Sequence, residues 1–285
     1  MTTDSNWSKA LQEEIMQNSA YKLAYEDIDL LADDDLRPLR LQLELLKPER
    51  ALQEHGINST VVVFGSARTL PLQEAKQRLE QAEQACVEDP DNDAVQKALN
   101  VAIRQHRQAG YYEQAREFAT LVSKRFQQEK RRDFVVITGG GPGIMEAANL
   151  GAYEAEARSI GLNITLPHEQ KPNPFITPEL AFRFHYFAIR KMHFLMRAKA
   201  LVAFPGGFGT FDELFEALTL IQTRKMQRVP VVLFGAEFWQ RAIDFDFLIA
   251  EGVIAPEDRD LFAFVETAEQ AVQVLRDFYQ GKPPK

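Results

Sequence analysis

Between residues 60 and 266, short runs of consecutive apolar residues alternate with longer stretches in which apolar positions recur every three or four residues. The short runs are VVVFG (61–65), FVVIT (134–138), LNITL (162–166), ALVAFP (200–205), VPVVLFG (229–235) and, more weakly, LFAFVE (261–266). The longer stretches cover 142–157, 184–198, 209–224, 236–250 and 267–280. Apolar runs of strand length predict strands buried on both faces, and their alternation with helices predicts a parallel sheet covered on both sides. The expected fold class is α/β: a doubly wound, Rossmann-like parallel sheet, with N-terminal helices and an inserted helical hairpin.

Residues 1–57 carry a helical pattern with turns, an N-terminal extension to a domain spanning 58–285. Leu36, Leu39, Leu43 and Leu46 share one helix face, and Pro48 is expected to end that helix. About 68 residues separate VVVFG from FVVIT, where one crossover helix would suffice. Residues 71–108 predict a helical hairpin turning at Asp89–Asp93. The Asp-x-Asp-x-Asp spacing there matches the start of a calcium loop. Ala94 stands where such a loop needs glycine, however, and Asn100 where it needs a bidentate glutamate, so a plain turn is expected.

Composition narrows the partners. The 285 residues are 45% hydrophobic, enough for a sizeable core, and the net charge of -8 disfavours nucleic acid or an anionic membrane as partner. The single cysteine, Cys86, leaves no internal disulfide and no thiolate metal cluster, which points to a reducing, cytoplasmic setting. The first residues, MTTDSNWSKALQEE, lack the basic-then-apolar pattern of a signal peptide. No metal and no cofactor is expected: His55, His106, His168, His185 and His193 show no ligand spacing.

The candidate chemistry lies after three of the predicted strands. GSAR (65–68), TGGGPGIMEAAN (138–149) and PGGFGTFDE (205–213) should converge at the carboxyl edge of the sheet, where open parallel sheets bind ligands. The last two pair a glycine run with a helix start, expected at Pro142 and near Gly209. Free backbone N–H groups and the helix dipole there suit a phosphate. Counting from Gly139, Ile144 occupies the last position of a dinucleotide fingerprint, and no Gly-Lys-Ser/Thr P-loop occurs. No Gly-x-Ser-x-Gly elbow offers a nucleophile either.

Asp212 and Glu213 follow the third loop. Adjacent helical residues point about 100° apart, so one can face the cleft while the other meets solvent. Both could also merely complement the helix dipole. The stretch RFHYFAIRKMHFLMRAKA predicts a helix with Phe184, Phe187, Met192 and Leu195 on its core face. Its Arg190 and Arg197 are candidates either for the cleft or for ordinary snorkelling at the surface.

GGGPGIMEAAN, then Arg190-Lys191, then PGGFGTFDE resembles the LOG (Lonely Guy) family, over roughly residues 60–250. The resemblance implies a Rossmann-like fold and hydrolysis of the N-glycosidic bond of nucleoside 5′-monophosphates, giving free base and ribose 5-phosphate. It implies AMP as preferred substrate, with a cytokinin riboside monophosphate, or nucleotide binding without catalysis, as alternatives. Family members often carry the label lysine decarboxylase, but nothing here marks a pyridoxal phosphate lysine. Arg190 and Glu213 match the catalytic pair. Nucleotide-contacting positions match Lys191, Gly206, Gly207, Phe208, Gly209, Thr210, Phe211, Asp212 and Thr219, with Glu169 as a further substrate contact. Gly65, Ser66 and Arg68 of the first loop, and Gly140, Gly141, Gly143 and Glu146 of the second, complete the expected substrate site. Glu146 stands where plant members have glycine, and residues 1–57 and 71–108 are additional to the compact plant pattern. A homodimer or higher homo-oligomer is expected as well.

Overall fold

The computed structural model describes residues 5–128, 131–165 and 171–282. Its chain divides into two compact units, Met1–Lys47 and Pro48–Lys285. The first holds α1 (Ser5–Gln17), α2 (Ile28–Ala32) and the start of α3 (Arg37–Glu54), with single 3-10 turns at Ser19–Tyr21 and Asp34–Leu36. Asn18 and Asp27 cap their helical segments by accepting the Ala20 and Leu30 N–H groups. Leu39, Leu43 and Leu46 are 40–54% exposed. Pro48 does not end α3, which continues to Glu54. A helix-interior proline forfeits one backbone hydrogen bond, a cost of about 3 kcal/mol. Burial of Pro48 itself and of Leu52 in the core of the second unit offsets it.

The second unit is built on β1 (Thr60–Phe64), which is followed by α4 (Leu72–Glu88) and α5 (Asp93–Phe126). A small antiparallel ribbon, β2 (Gln127–Gln128) and β3 (Arg131–Arg132), leads to β4 (Val135–Thr138), α6 (Ile144–Glu154) and β5 (Ser159–Ile164). Then come β6 (Ala181–Phe184), α7 (Phe187–Met196), β7 (Ala198–Ala203) and α8 (Phe208–Gln222). The chain closes with β8 (Val231–Phe234), α9 (Ala236–Ala242), α10 (Phe245–Ala250), β9 (Phe262–Val265) and α11 (Ala268–Phe278).

Seven strands form one parallel sheet in the order β6-β5-β4-β1-β7-β8-β9. The doubly wound α/β class is as the apolar runs predict. Alternate residues of β1 feed opposite cores. Val62 and Phe64 join Phe194, Leu214, Ile221 and Trp239 on one face, while Val61 and Val63 join Phe118, Ile144, Ala148 and Leu275 on the other. From β1 the chain builds outward through β4, β5 and β6, then returns to place β7 on the opposite side of β1. That reversal opens a crevice beyond the carboxyl ends of β1, β4 and β7.

Three elements differ from expectation. Residues 181–184 form an edge strand in which Phe182 and Phe184 are buried and Ala181 and Arg183 exposed, so α7 starts only at Phe187. The buried face of α7 also differs from expectation: His193 and Phe194 are its buried residues, while Phe187 and Met192 are 52% and 47% exposed. The pattern over 236–250 is two helices, because the Asp244 carboxylate accepts the Phe247 N–H and starts α10. The turn between α4 and α5 is closed by Asn92, whose side chain caps Ala94 N–H and donates to Asp89. Beyond that turn α5 runs 34 residues, and its second half packs Tyr112, Phe118 and Val122 on the sheet as the crossover helix. Among the described residues no helix is long and apolar enough to cross a membrane.

Candidate active site

The loops after β1, β4 and β7 line one cavity of about 860 Å³. From the expected site residues it gathers Gly65, Ser66, Arg68, Arg190, Gly206, Gly207, Phe208, Gly209, Thr210, Phe211, Asp212 and Glu213. Phe64, Ala67, Gly139, Met145 and Phe187 complete the lining, beyond the expected contacts. Gly139, Met145 and Ala67 lie inside the quoted loops and Phe64 beside one, while Phe187 is expected on a core face.

The first loop is tied to the other two through its backbone. Ser66 N–H donates to Pro205 O at 3.1 Å, and Ile144 N–H donates to Ser66 O at 3.1 Å. Gly143 has φ +71° and its Cα lies against the Ser66 carbonyl and the Ala67 backbone, so a side chain there would meet fixed main chain. The turn delays α6 to Ile144, two residues after Pro142. Gly140 and Gly141 are buried behind the lining.

Arg190 reaches the cavity from α7. Its Nε donates to Leu162 O at 2.7 Å, and its guanidinium lies 5.1 Å from the Phe194 ring centre. A methyl group on Gly139 would sit 2.6 Å from the Arg190 Nη2 and 2.9 Å from the Met145 sulfur. Glycine at 139 is therefore what lets the guanidinium lie against the loop. Burial pulls the Arg190 pKa down and the Glu213 carboxylate pulls it back up, but an arginine remains cationic throughout the physiological range. Arg197, the other candidate, is committed elsewhere: it pairs with Glu49 and donates to Ile57 O at 3.0 Å.

Glu213 is the buried member of the acidic pair, 7% exposed, and its Oε2 has no hydrogen-bond partner among the described residues. Because α8 begins at Phe208, Glu213 is its sixth residue, and no acidic residue falls in the first turn. The dipole reading therefore loses its basis, since that effect fades beyond the first turn. Burial raises the Glu213 pKa to about 7, against the opposing pull of Lys191 and Arg190. Asp212 is exposed and pairs with Lys191 at 2.9 Å; Glu216 holds the same ammonium at 3.1 Å. Burial works against this ammonium, but its hydrogen bonds to Asp212 and Glu216 outweigh that and raise its pKa.

Other expected contacts lie apart. Lys191 and Thr219 line an adjoining hollow of about 400 Å³ with Phe215 and Glu216. Glu146 is outside the cavity lining and accepts the Tyr112 hydroxyl at 3.1 Å. Glu169 and His168 lie outside the described residues. His193 is packed 5.4 Å from the Phe184 ring, and no group of three potential metal ligands occurs among the described residues.

The site can act as a charge device. A helix N-terminus, a glycine loop and a guanidinium offer binding to an anion, and one buried carboxylate lines the same cavity and could meet a developing positive charge.

Comparison with known proteins bears on this arrangement. A family model described as "possible lysine decarboxylase" matches residues 145–275. A rice (Oryza sativa subsp. japonica) protein named cytokinin riboside 5′-monophosphate phosphoribohydrolase LOG is 28% identical over 148 residues, 50% of this chain and 60% of the rice protein. An Arabidopsis thaliana protein with the same enzyme name is 32% identical over 91 residues, 31% of this chain and 42% of that protein. Over about half of its length the chain is thus similar to proteins named LOG, and it spans less than two thirds of the length of either. A solved molybdenum cofactor binding protein from Rippkaea orientalis covers 59% of this chain and 88% of its own at 20% identity, with a TM-score of 0.42. The decarboxylase description finds no support in the cavity. Its lining contains no lysine to form a Schiff base with pyridoxal phosphate, and the adjoining Lys191 is held by two carboxylates.

Proposed function

We propose that the protein hydrolyses the N-glycosidic bond of nucleoside 5′-monophosphates, AMP among them, to free base and ribose 5-phosphate. The observation that carries this reading is Glu213, a buried carboxylate lining the same cavity as Arg190 and the glycine loops. Departure of the base leaves an oxocarbenium-like ribose, and a carboxylate in a low-dielectric wall stabilises that charge and orients the attacking water. Ionised Glu213 fills this role, while Arg190, which cannot give up a proton, acts by charge on the phosphate or on the departing base. The 5′-phosphate then meets the loop N–H groups and the helix N-termini.

The names of the plant relatives favour a second substrate of the same chemistry, a cytokinin riboside 5′-monophosphate. A pure nucleotide carrier has no use for a buried carboxylate whose Oε2 has no hydrogen-bond partner among the described residues, so catalysis is the stronger reading. Incubation with a panel of nucleoside 5′-monophosphates, followed by chromatography of free base, tests it. Release of base from AMP that disappears in Glu213→Gln supports the proposal. A panel in which every monophosphate stays intact overturns it.

A further inference from the structure

Behind the glycine loop lies a buried polar chain that the reaction itself does not touch. Gly140 N–H donates to Thr138 Oγ1 at 3.0 Å, and that hydroxyl donates to Asn149 Oδ1 at 2.7 Å. Asn149 Oδ1 also accepts from Asn173 Nδ2 at 3.0 Å, and the same nitrogen donates to Gly141 O at 3.0 Å. Asn173 N–H closes the figure on Gly140 O at 2.9 Å, joined there by Asn163 Nδ2 at 3.2 Å. Four separate segments, the end of β4, the middle of α6, the end of β5 and the stretch around residue 173, thus meet in one network around two consecutive glycines. Thr138 and Asn149 are fully buried and Asn173 is 6% exposed.

The geometry has a consequence for the loop. In a planar trans peptide the carbonyl and the following N–H point in opposite directions, and the described chain has no cis bond. With its carbonyl drawn towards Asn173 and Asn163, the Gly140–Gly141 peptide turns the Gly141 N–H away from the network. Pro142 has no N–H, so the Gly141 carbonyl is the only handle on the next peptide, and Asn173 holds it. The network is also imperfect, since Asn149 Nδ2 is buried without a partner among the described residues. Apolar residues would avoid that cost, and local violations of this kind concentrate where function demands a geometry.

We propose that Thr138, Asn149 and Asn173 are positioning residues that lock the Gly140–Gly141 peptide and so fix the neighbouring Gly139, which lines the cavity against the Arg190 guanidinium, in the place that binding of the substrate's 5′-phosphate requires. The inference rests on the nucleotide reading given above. Titration calorimetry with ribose 5-phosphate, on wild type, Thr138→Val, Thr138→Ser and Asn173→Asp, tests it alongside AMP kinetics and melting temperatures. Thr138→Val keeps the side-chain shape and removes both hydrogen bonds of the hydroxyl. It should weaken ribose 5-phosphate binding about tenfold and raise KM more than it lowers kcat, while Thr138→Ser restores both. Asn173→Asp, which points a carboxylate at two acceptors, should act in the same direction and serves if Thr138→Val does not fold. Folded variants with lower melting temperatures but wild-type affinity and KM would overturn the inference, reducing the network to scaffolding. If wild type itself binds neither ribose 5-phosphate nor AMP, the nucleotide reading fails and the inference falls with it.

Discussion

Replacing Glu213 with glutamine separates stability from turnover in a pH-dependent way. Glutamine mimics the protonated acid in size and charge but cannot ionise. In the folded protein the Glu213 pKa is about 7, against an ordinary value of 4.5. A raised carboxyl pKa means that the folded state holds the proton more tightly. Its stabilising contribution is therefore complete below about pH 4.5 and is lost as the pH rises through 7. At about 1.4 kcal/mol per unit, the penalty for ionising the buried carboxylate is about 1 kcal/mol at pH 5 and about 3 kcal/mol at pH 8. Glu213→Gln escapes it. For a chain of this size about 2 °C of melting temperature accompanies each kcal/mol. The variant's advantage over wild type should thus grow by about 5 °C between pH 5 and pH 8. Turnover should move the other way, with kcat falling about 10²–10³-fold at pH 8 while AMP affinity is nearly kept. Scanning fluorimetry across pH, with initial rates of adenine release on the same samples, reads both. A melting difference that is the same at pH 5 and pH 8 would refute the buried, titrating carboxylate. Wild-type kcat in a folded variant would end its catalytic assignment.

Four further outcomes are expected. Wild-type kcat should rise with pH through about 7 as Glu213 ionises, and a flat rate from pH 6 to 8 would show that the ionised form is not required. Gly139→Ala inserts a methyl group 2.6 Å from the Arg190 guanidinium; AMP hydrolysis should drop about tenfold or more with little change in melting temperature, and an unaffected rate would mean that Arg190 need not lie against the loop. Adenosine should be cleaved at least about a hundredfold less efficiently than AMP, because the phosphate's remote binding energy supports the chemical step, whereas equal kcat/KM for the two would remove the phosphate from the account. Light scattering should report a homo-oligomer at micromolar concentration, and a 32.4 kDa particle would contradict that expectation.

The parallel sheet was legible in the sequence because strands buried on both faces must be apolar at every position, and VVVFG, FVVIT and ALVAFP obey that rule without reference to neighbours. The glycine loops were equally visible, since only glycine tolerates the backbone of Gly143 and the approach of Arg190 to Gly139. Local pattern failed where a long-range contact outweighed it. AFRF alternates as an edge strand does, but the aromatic-rich helix beside it masked the signal until pairing of residues 181–184 with 161–164 decided it. Pro48 stays inside a helix because burial of Leu52 in the sheet's core compensates for the missing hydrogen bond. The roles of neighbouring charges lay further out of reach. Asp212 and Glu213 are adjacent and both acidic, and their difference arises only when Lys191, from another helix, takes up Asp212 while the fold buries Glu213. Arg190 and Arg197 are parted in the same manner, one drawn to Leu162 O beside the glycine loop and the other to Glu49 and Ile57 O. Periodicity and turn chemistry act within a few residues and can be read along the chain. Desolvation and charge pairing depend on what the fold brings within a few ångströms, and here those partners come from residues dozens of positions away.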